Sequence, residues 1–212
     1  MNINKELEKY ILEHIEPEGE ILKELNRKTY LKFLNPRMLS GHLQGKVLKM
    51  LSKMICPENI LEIGTYTGYS AICLVQGLKT KGKLHTIEIN DELEDFIKSY
   101  FKKAKVSEKI ILHIGDALKI IPSIDKLFDM VFIDGYKEQY LDYYNCVFEK
   151  VKKGGFIIAD NVLWDGKVIE KVNDNDVQTK GILAFNDFVH NDNRVENVIF
   201  PIRDGFMILK KK

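Results

Sequence analysis

The sequence predicts an α/β fold, a doubly wound parallel sheet preceded by a helical segment. Three observations carry this reading. Beyond Pro57, short apolar runs of strand length alternate with helical segments, the pattern that produces parallel pairing through crossover helices. Before Pro57, apolar residues recur at helical spacing. Several of the strand-like runs stop abruptly at a polar residue, and open α/β sheets bind ligands at the carboxyl ends of their strands.

Taken in order, Leu7, Ile11 and Ile15 mark a first helix, Ile21, Leu22 and Leu25 a second, and Val47, Leu48, Leu51 and Ile55 a third. Pro17, Pro36 and Pro57 punctuate them. Strands are expected at 60–63, 84–89, 110–114, 130–133 and 156–159. Helices are expected at 67–78, 91–105 and 138–151, the last closed by Gly154-Gly155, with a shorter segment around Pro122. A helix near 181–190 precedes two more apolar runs, 195–200 and 206–209, joined by Pro201-Ile202-Arg203-Asp204-Gly205. So short a connection implies an antiparallel pair at the sheet edge.

No Gly/Ser/Pro-rich stretch divides the 212 residues, which predicts one domain, 1–212, with a helical segment at 1–56 and a sheet core at 57–212. Hydrophobic content of 45% with 30% charged residues suits a soluble globular chain with a sizeable core. A net charge of +1 supplies no global field for nucleic acid or an anionic membrane. The lysine clusters at Lys79-Lys81-Lys83, Lys102-Lys103-Lys105 and Lys210-Lys211-Lys212 read as solvated surface. Met1-Asn2-Ile3-Asn4-Lys5-Glu6 lacks the layout of a secretory signal, and no apolar run approaches the roughly 20 residues of a membrane span. A cytoplasmic protein with no membrane partner is expected. Cys56, Cys73 and Cys146 are scattered and read as reduced structural cysteines. His42, His85 and His113 lack ligand spacing and read as packing or surface residues.

Glu62-Ile63-Gly64-Thr65-Tyr66-Thr67-Gly68 follows the first strand, where a tight turn lets a ligand approach a helix N-terminus. A pyrophosphate-binding turn wants GxGxxG, and its middle glycine is here Tyr66; GxxxxGK[ST] is absent as well. A ligand without pyrophosphate fits better, and S-adenosylmethionine is one. Glu88 ends the second strand at about the roughly 20-residue interval where an acid can bond both ribose hydroxyls. Asp116 ends the third strand near where adenine would lie, and Glu62 beside the turn can answer an ammonium group. Each of the three acids alone can equally cap a helix or face solvent; their placement at three consecutive strand ends favours the ligand.

Asp134 and Asp160 end the fourth and fifth strands, which lie side by side in the common strand order, about 4.8 Å apart. Two carboxylates that converge repel unless one is protonated or a cation lies between them. With the neutral oxygen of Asn161 they form an all-oxygen set suited to Mg2+, Mn2+ or Ca2+. Lys137 follows Asp134 by three residues, and beside a dication in a partly dry cleft its pKa is expected to fall, as a general base requires.

Together, Ile60-Leu61-Glu62-Ile63-Gly64-Thr65-Tyr66-Thr67-Gly68-Tyr69-Ser70, Ile133-Asp134-Gly135-Tyr136-Lys137 and Ala159-Asp160-Asn161-Val162 resemble the cation-dependent class I O-methyltransferases. That family includes catechol O-methyltransferase, the plant caffeoyl-CoA O-methyltransferases and bacterial relatives. The resemblance runs from about Arg37 to the C-terminus. It implies a Rossmann-like methyltransferase fold: a seven-stranded, mostly parallel sheet with one antiparallel edge strand, helices on both faces and a helical N-terminal extension. It implies S-adenosylmethionine contacts at Met38, Glu62, Gly64, Tyr66, Gly68, Ser70, Glu88, Asp116, Ala117 and Asp134, a divalent ion at Asp134, Asp160 and Asn161, and Lys137 as the base. It also implies a homodimer, formed through the N-terminal helices.

Arg37-Met38-Leu39-Ser40-Gly41-His42-Leu43-Gln44-Gly45, Asn161-Val162-Leu163-Trp164-Asp165-Gly166 and residues 179–186 resemble the bacterial branch. One departure is Arg203, where bacterial relatives usually place glycine in a Pro-Ile-Gly-Asp-Gly run. The resemblance implies a hydroxylated aromatic small molecule of catechol type as acceptor. A second reading is the wobble 5-hydroxyuridine of tRNA, which some bacterial members methylate and whose adjacent oxygens imitate a catechol. A third, a non-catalytic nucleoside-binding module, is disfavoured by the retained Asp134, Lys137, Asp160 and Asn161. Tyr136 and Trp164 either wall the acceptor or pack, and His42 lies in the segment that places Met38.

Overall fold

In the computed structural model, which describes residues 5–212, the apolar runs beyond Pro57 form strands β1 (Asn59–Ile63), β2 (Lys83–Glu88), β3 (Ile110–Ile114), β4 (Phe128–Ile133), β5 (Val151–Ala159), β6 (Val195–Phe200) and β7 (Phe206–Lys211). They make one sheet in the order β3-β2-β1-β4-β5-β7-β6. Strands β3 to β5 pair in parallel, and β7 runs antiparallel to both β5 and β6. The antiparallel strand therefore sits one place in from the edge, with β6 outermost. From β1 the chain moves outward through β2 and β3, then returns to place β4 on the other side of β1. That reversal is the topological switch point, where crevices open at the strand ends.

Alternation along the strands assigns each side chain to one of two cores. Leu61, Ile63, Val131, Ile133, Ile157 and Ala159 face one layer, and Ile60, Met130, Phe132 and Ile158 face the other. The first layer is covered by α6 (Ala117–Ser123), α7 (Tyr140–Phe148) and α8 (Val177–Asn191). The second is covered by α2 (Glu20–Lys32), α3 (Gly41–Ile55), α4 (Tyr69–Leu74) and α5 (Glu94–Lys103), while α1 (Lys5–His14) keeps Leu7 and Tyr10 exposed. Central strands buried on both faces explain why β1 and β4 read as near-continuous apolar runs. The reading of Met1 to Asn4 as free of a signal lies outside the described residues, among which no helix is long and apolar enough to cross a membrane. The cysteines are free, as expected: Cys73 is buried, Cys146 half-buried and Cys56 exposed.

One expected boundary is wrong for a physical reason. Gly154-Gly155 do not close a helix: α7 ends at Phe148 and both glycines lie within β5. Phe128 pairs with Val151 and Met130 with Phe156, so Asp129 alone faces residues 152–155 and the strand bulges there. Gly154 takes φ +77°, which a bulge of this kind needs. Asp129 anchors the bulge by accepting Lys152 Nζ at 2.9 Å and the Glu58 and Asn59 amides at 2.9 and 2.8 Å. The first expected crossover helix is also shorter, because its first regular turn begins only at Tyr69 and it ends as a 3-10 turn, Val75–Gly77.

His85 on β2 and His113 on β3 lie on the same face, with Nδ1 and Nε2 3.1 Å apart and the rings stacked at 5.3 Å. Both are packing residues, as the spacing predicts. Burial, then the neighbouring His113 and Lys126, push His85 down from 6.5 to about 4. On acidification the unfolded chain therefore takes up the proton before the folded one does. The stability this imidazole contributes is complete above pH 6.5 and falls as the pH drops toward 4. Urea midpoints measured at pH 7.5 and pH 5 should differ more for the wild-type protein than for His85→Leu; equal differences would remove the pair from the account.

Candidate active site

The ends of β1, β2, β3, β4 and β5 open into a cleft of about 1060 Å3, closed on one side by the segment between α2 and α3. Its floor is the turn after β1. Gly64 takes φ +95°, and a Cβ on it would lie 2.1 Å from the Asp134 carbonyl oxygen, so glycine is required by contact as well as by conformation. The turn's amides are already engaged: Gly64 and Thr65 donate to the Ile87 carbonyl at 3.0 and 3.2 Å, Gly68 to Thr65 at 2.9 Å, and Tyr66 to Glu88 Oε2 at 2.6 Å. These internal bonds leave those amides unfit to cradle a pyrophosphate. Tyr66 holds φ +48°, and its hydroxyl donates to the Asn35 carbonyl at 3.2 Å, closing the turn against the N-terminal segment.

Glu88 is tied down at both oxygens, since Oε1 accepts the Asn90 amide at 2.9 Å. Burial raises its pKa, partly offset by those backbone donors. Asp116 does two things at once: Oδ1 accepts the Leu118 amide at 3.0 Å and caps α6, while the residue also lines the cleft with Ala117. Met38, Gly64, Tyr66, Glu88 and Asp134 line it as well. Glu62, Gly68 and Ser70 do not. Glu62 is fully enclosed, accepts Thr86 Oγ1 at 2.5 Å and leaves Oε1 without a partner; burial pushes it up to about 8. Its carboxyl sits inside the protein, where burial outweighs the Ser70 and Thr86 hydroxyls that oppose the rise. His42 is turned away from the cleft, with Nε2 against the Glu16 carbonyl at 2.9 Å.

Asp134 and Asp160 stand side by side as the strand order requires, the Asp134 amide donating to Ile63 at 2.8 Å and the Asp160 amide to Ile133 at 3.0 Å. Lys137, only 9% exposed, donates to Asp134 Oδ1 at 2.8 Å and to the Tyr140 hydroxyl at 2.7 Å. Tyr140 in turn donates to the Asp160 carbonyl at 3.0 Å. The fall in pKa expected of this lysine presupposes a dication beside it, and without one its carboxylate neighbours dominate. Burial does act to lower it, but the charges of Asp134, Tyr140 and Asp160 outweigh burial and raise it. A second positive charge beside those carboxylates would lower it. Asp160 is raised by burial and by Asp134, against the donors Gln44 Nε2 and the Asn161 amide.

Two acids against one lysine leave this enclosed cluster one negative charge out of balance, which suits a dication. Among the described residues no group of three or more His, Cys, Asp or Glu side chains is assembled as a metal cage. The donor set is two carboxylates and an amide, and the Asn161 Nδ2 contact to Asp204 Oδ2 at 3.3 Å turns the amide oxygen away from that acid. Oxygen-only donors in this number fit Mg2+, Mn2+ or Ca2+ with positions left for water or substrate. Tyr136 and Trp164 line the cleft, and the indole Nε1 is buried without a partner. Gln44 and Tyr140 are the residues sequence reasoning missed. Tyr140 lies three residues after Lys137, and Gln44 sits four residues before Leu48 on the buried face of α3, each a legible signal.

The family model described as O-methyltransferase matches residues 12–212. The caffeoyl-CoA O-methyltransferase of Medicago sativa is 33% identical over 220 residues, covering 97% of this chain and 88% of that protein. The O-methyltransferase from Bacillus cereus, solved in complex with SAH, superposes with a TM-score of 0.91 at 28% identity, covering 98% of this chain and 97% of that one. TomG from Streptomyces achromogenes, solved with SAM and involved in tomaymycin synthesis, gives 0.90 at 27% identity, covering 98% and 96%.

Because Gly64 rests on the Asp134 carbonyl, Gly64→Ala should destabilise the protein by about 1–3 kcal/mol through overpacking. The unfolding free energy in urea checks this; an unchanged value would mean that the turn and the β4 exit are not in contact.

Proposed function

This chain belongs to the O-methyltransferase family, and we propose that within it the protein moves the methyl group of S-adenosylmethionine to one of two vicinal hydroxyls of a catechol-like small molecule. The observation that carries the reading is the charge-unbalanced cluster of Asp134, Lys137 and Asp160 beside a turn whose amides are already engaged. Glu88, held rigid by the Tyr66 and Asn90 amides, keeps lone pairs for the ribose hydroxyls. Asp116 and Ala117 border the adenine, and Met38 and Tyr66 cover the opposite wall. Gly64 and Asp134 border the amino-acid end, and Gly68, Ser70 and the enclosed Glu62 support that turn from behind the cleft wall.

Asp134, Asp160 and Asn161 would hold Mg2+, Mn2+ or Ca2+, which would supply charge to stabilise the acceptor's oxyanion and would oppose the pull of the carboxylates on the Lys137 proton. Lys137 then receives the hydroxyl proton at Nζ, and Tyr140 keeps that nitrogen in place. The acceptor oxygen forms a bond to the methyl carbon as the carbon–sulfur bond breaks, and the sulfonium leaves as the neutral thioether. By holding donor and acceptor in one cleft the protein turns a bimolecular displacement into an intramolecular one, which supplies roughly 7–11 kcal/mol of the barrier. Tyr136 and Trp164 wall the acceptor.

The tRNA reading, methylation of wobble 5-hydroxyuridine, is supported by one feature: Lys32, Arg37 and Arg203 line the cleft and offer cations to a phosphate backbone. The exposed Leu31, Leu34 and Met54 of the N-terminal helical segment support a homodimer through that surface. We place the whole reaction within one domain of a cytoplasmic enzyme.

Labelled S-adenosylmethionine and Mg2+ offered with small catechols or bulk tRNA should label the catechols; labelling of tRNA alone would replace the acceptor. Lys137→Met should lose about 10²–10⁴-fold in kcat while calorimetric binding of S-adenosylhomocysteine is retained. Chelation should abolish turnover and added Mg2+ restore it; a rate indifferent to chelator would sink the metal.

A further inference from the structure

Two contacts reach the Asp160-Asn161 pair from the hairpin that joins β6 to β7, and one of them begins at a residue held in a conformation that favours glycine. Arg203 has φ +51°. Its Nη1 donates to the Ser40 carbonyl and, at 2.7 Å, to Gln44 Oε1. Gln44, buried on α3, donates Nε2 to Asp160 Oδ2. The neighbouring Asp204 accepts Asn161 Nδ2 at 3.3 Å.

The order of atoms in this chain of contacts decides its effect. A carboxamide has one acceptor end and one donor end. The guanidinium occupies the acceptor end, so the donor end is committed to the carboxylate. Asp160 Oδ1 is meanwhile fixed by the Asn161 amide at 2.7 Å. Both oxygens of a buried acid are thereby oriented, one from its own backbone and one from a hairpin distant in sequence. Remove the guanidinium and Gln44 keeps a single polar contact, free to swing with the carboxylate. We propose that Arg203 is a positioning residue that acts through Gln44 to hold Asp160 in the rotamer that serves a divalent ion, an inference that rests on the metal reading of Asp134, Asp160 and Asn161.

The conformation of Arg203 separates this role from a merely structural one. Glycine takes φ +51° without strain, so Arg203→Gly removes the guanidinium while easing the backbone. The test is Mn2+ binding to the full chain, read from the electron paramagnetic resonance of the free ion, with the unfolding midpoint recorded for each variant. Outer-shell partners of metal ligands typically contribute 10–100-fold to affinity, so Arg203→Gly and Gln44→Leu should each weaken Mn2+ binding about tenfold or more. Arg203→Met, which keeps the bulk and loses the donors, should do the same. The double variant should bind no more weakly than Gln44→Leu alone, because both changes cut one path. Arg203→Lys should restore affinity, since one nitrogen carries both contacts and an ammonium has three donors.

Wild-type affinity in Arg203→Gly and Arg203→Met, or losses that add in the double variant, overturns the proposal. A wild-type protein that binds no Mn2+ overturns the metal reading and this inference together, an outcome visible before any variant is compared.

Discussion

A contact that contains no side chain joins the two halves of the site. The turn after β1 lies on the carbonyl of Asp134 so closely that a Cβ at Gly64 would come within 2.1 Å of it. The Asp134 amide is at the same time bonded to Ile63, the last residue of β1. The glycine turn and the first acid of the proposed metal set are therefore one rigid unit, created by the adjacency of β1 and β4 at the switch point. From Asp134 the coupling passes to Asp160 through the β4–β5 register, and to Lys137 through the turn that opens α7. Backbone hydrogen bonds inside a parallel sheet vary little in length, which gives the reacting groups their fixed spacing.

The electrostatics of the cluster follow from that geometry. Asp134 and Asp160 are brought together by strand pairing, and Lys137 is drawn in by their charge, so the lysine's proton is held and Asp160's affinity for a proton rises. Both groups are tuned away from what base catalysis wants. A positive charge between the carboxylates would act on both at once, lowering the proton affinity of Asp160 and of Lys137. The protein's contribution is a pocket that is one charge short.

Much of this was legible in the chain. The change of period at Pro57 separates the helical segment from the sheet core, and the abrupt strand ends place Glu88, Asp116, Asp134 and Asp160 around one opening. Tyr66 in place of a glycine excludes a pyrophosphate turn, and the structure supplies the reason: its amide is bonded to Glu88. Gly154-Gly155 misled because glycine marks a strand bulge as readily as a helix end, and only the pairing of Phe128 and Met130 distinguishes the two. Glu62 lies behind the cleft wall because the strand's alternation turns it inward, although it stands only two residues from Gly64.

By itself the sequence determined the order of elements and the residues at each strand end, since both depend on local periodicity and spacing. Tertiary structure alone decided the charged neighbours of Lys137, the enclosure of Glu62 and the path from Arg203 through Gln44 to Asp160. Those depend on burial and on contacts that span 159 and 116 residues of chain. A pKa or a rotamer is set by everything within a few ångströms, and no local pattern records what the fold brings there from a distant segment.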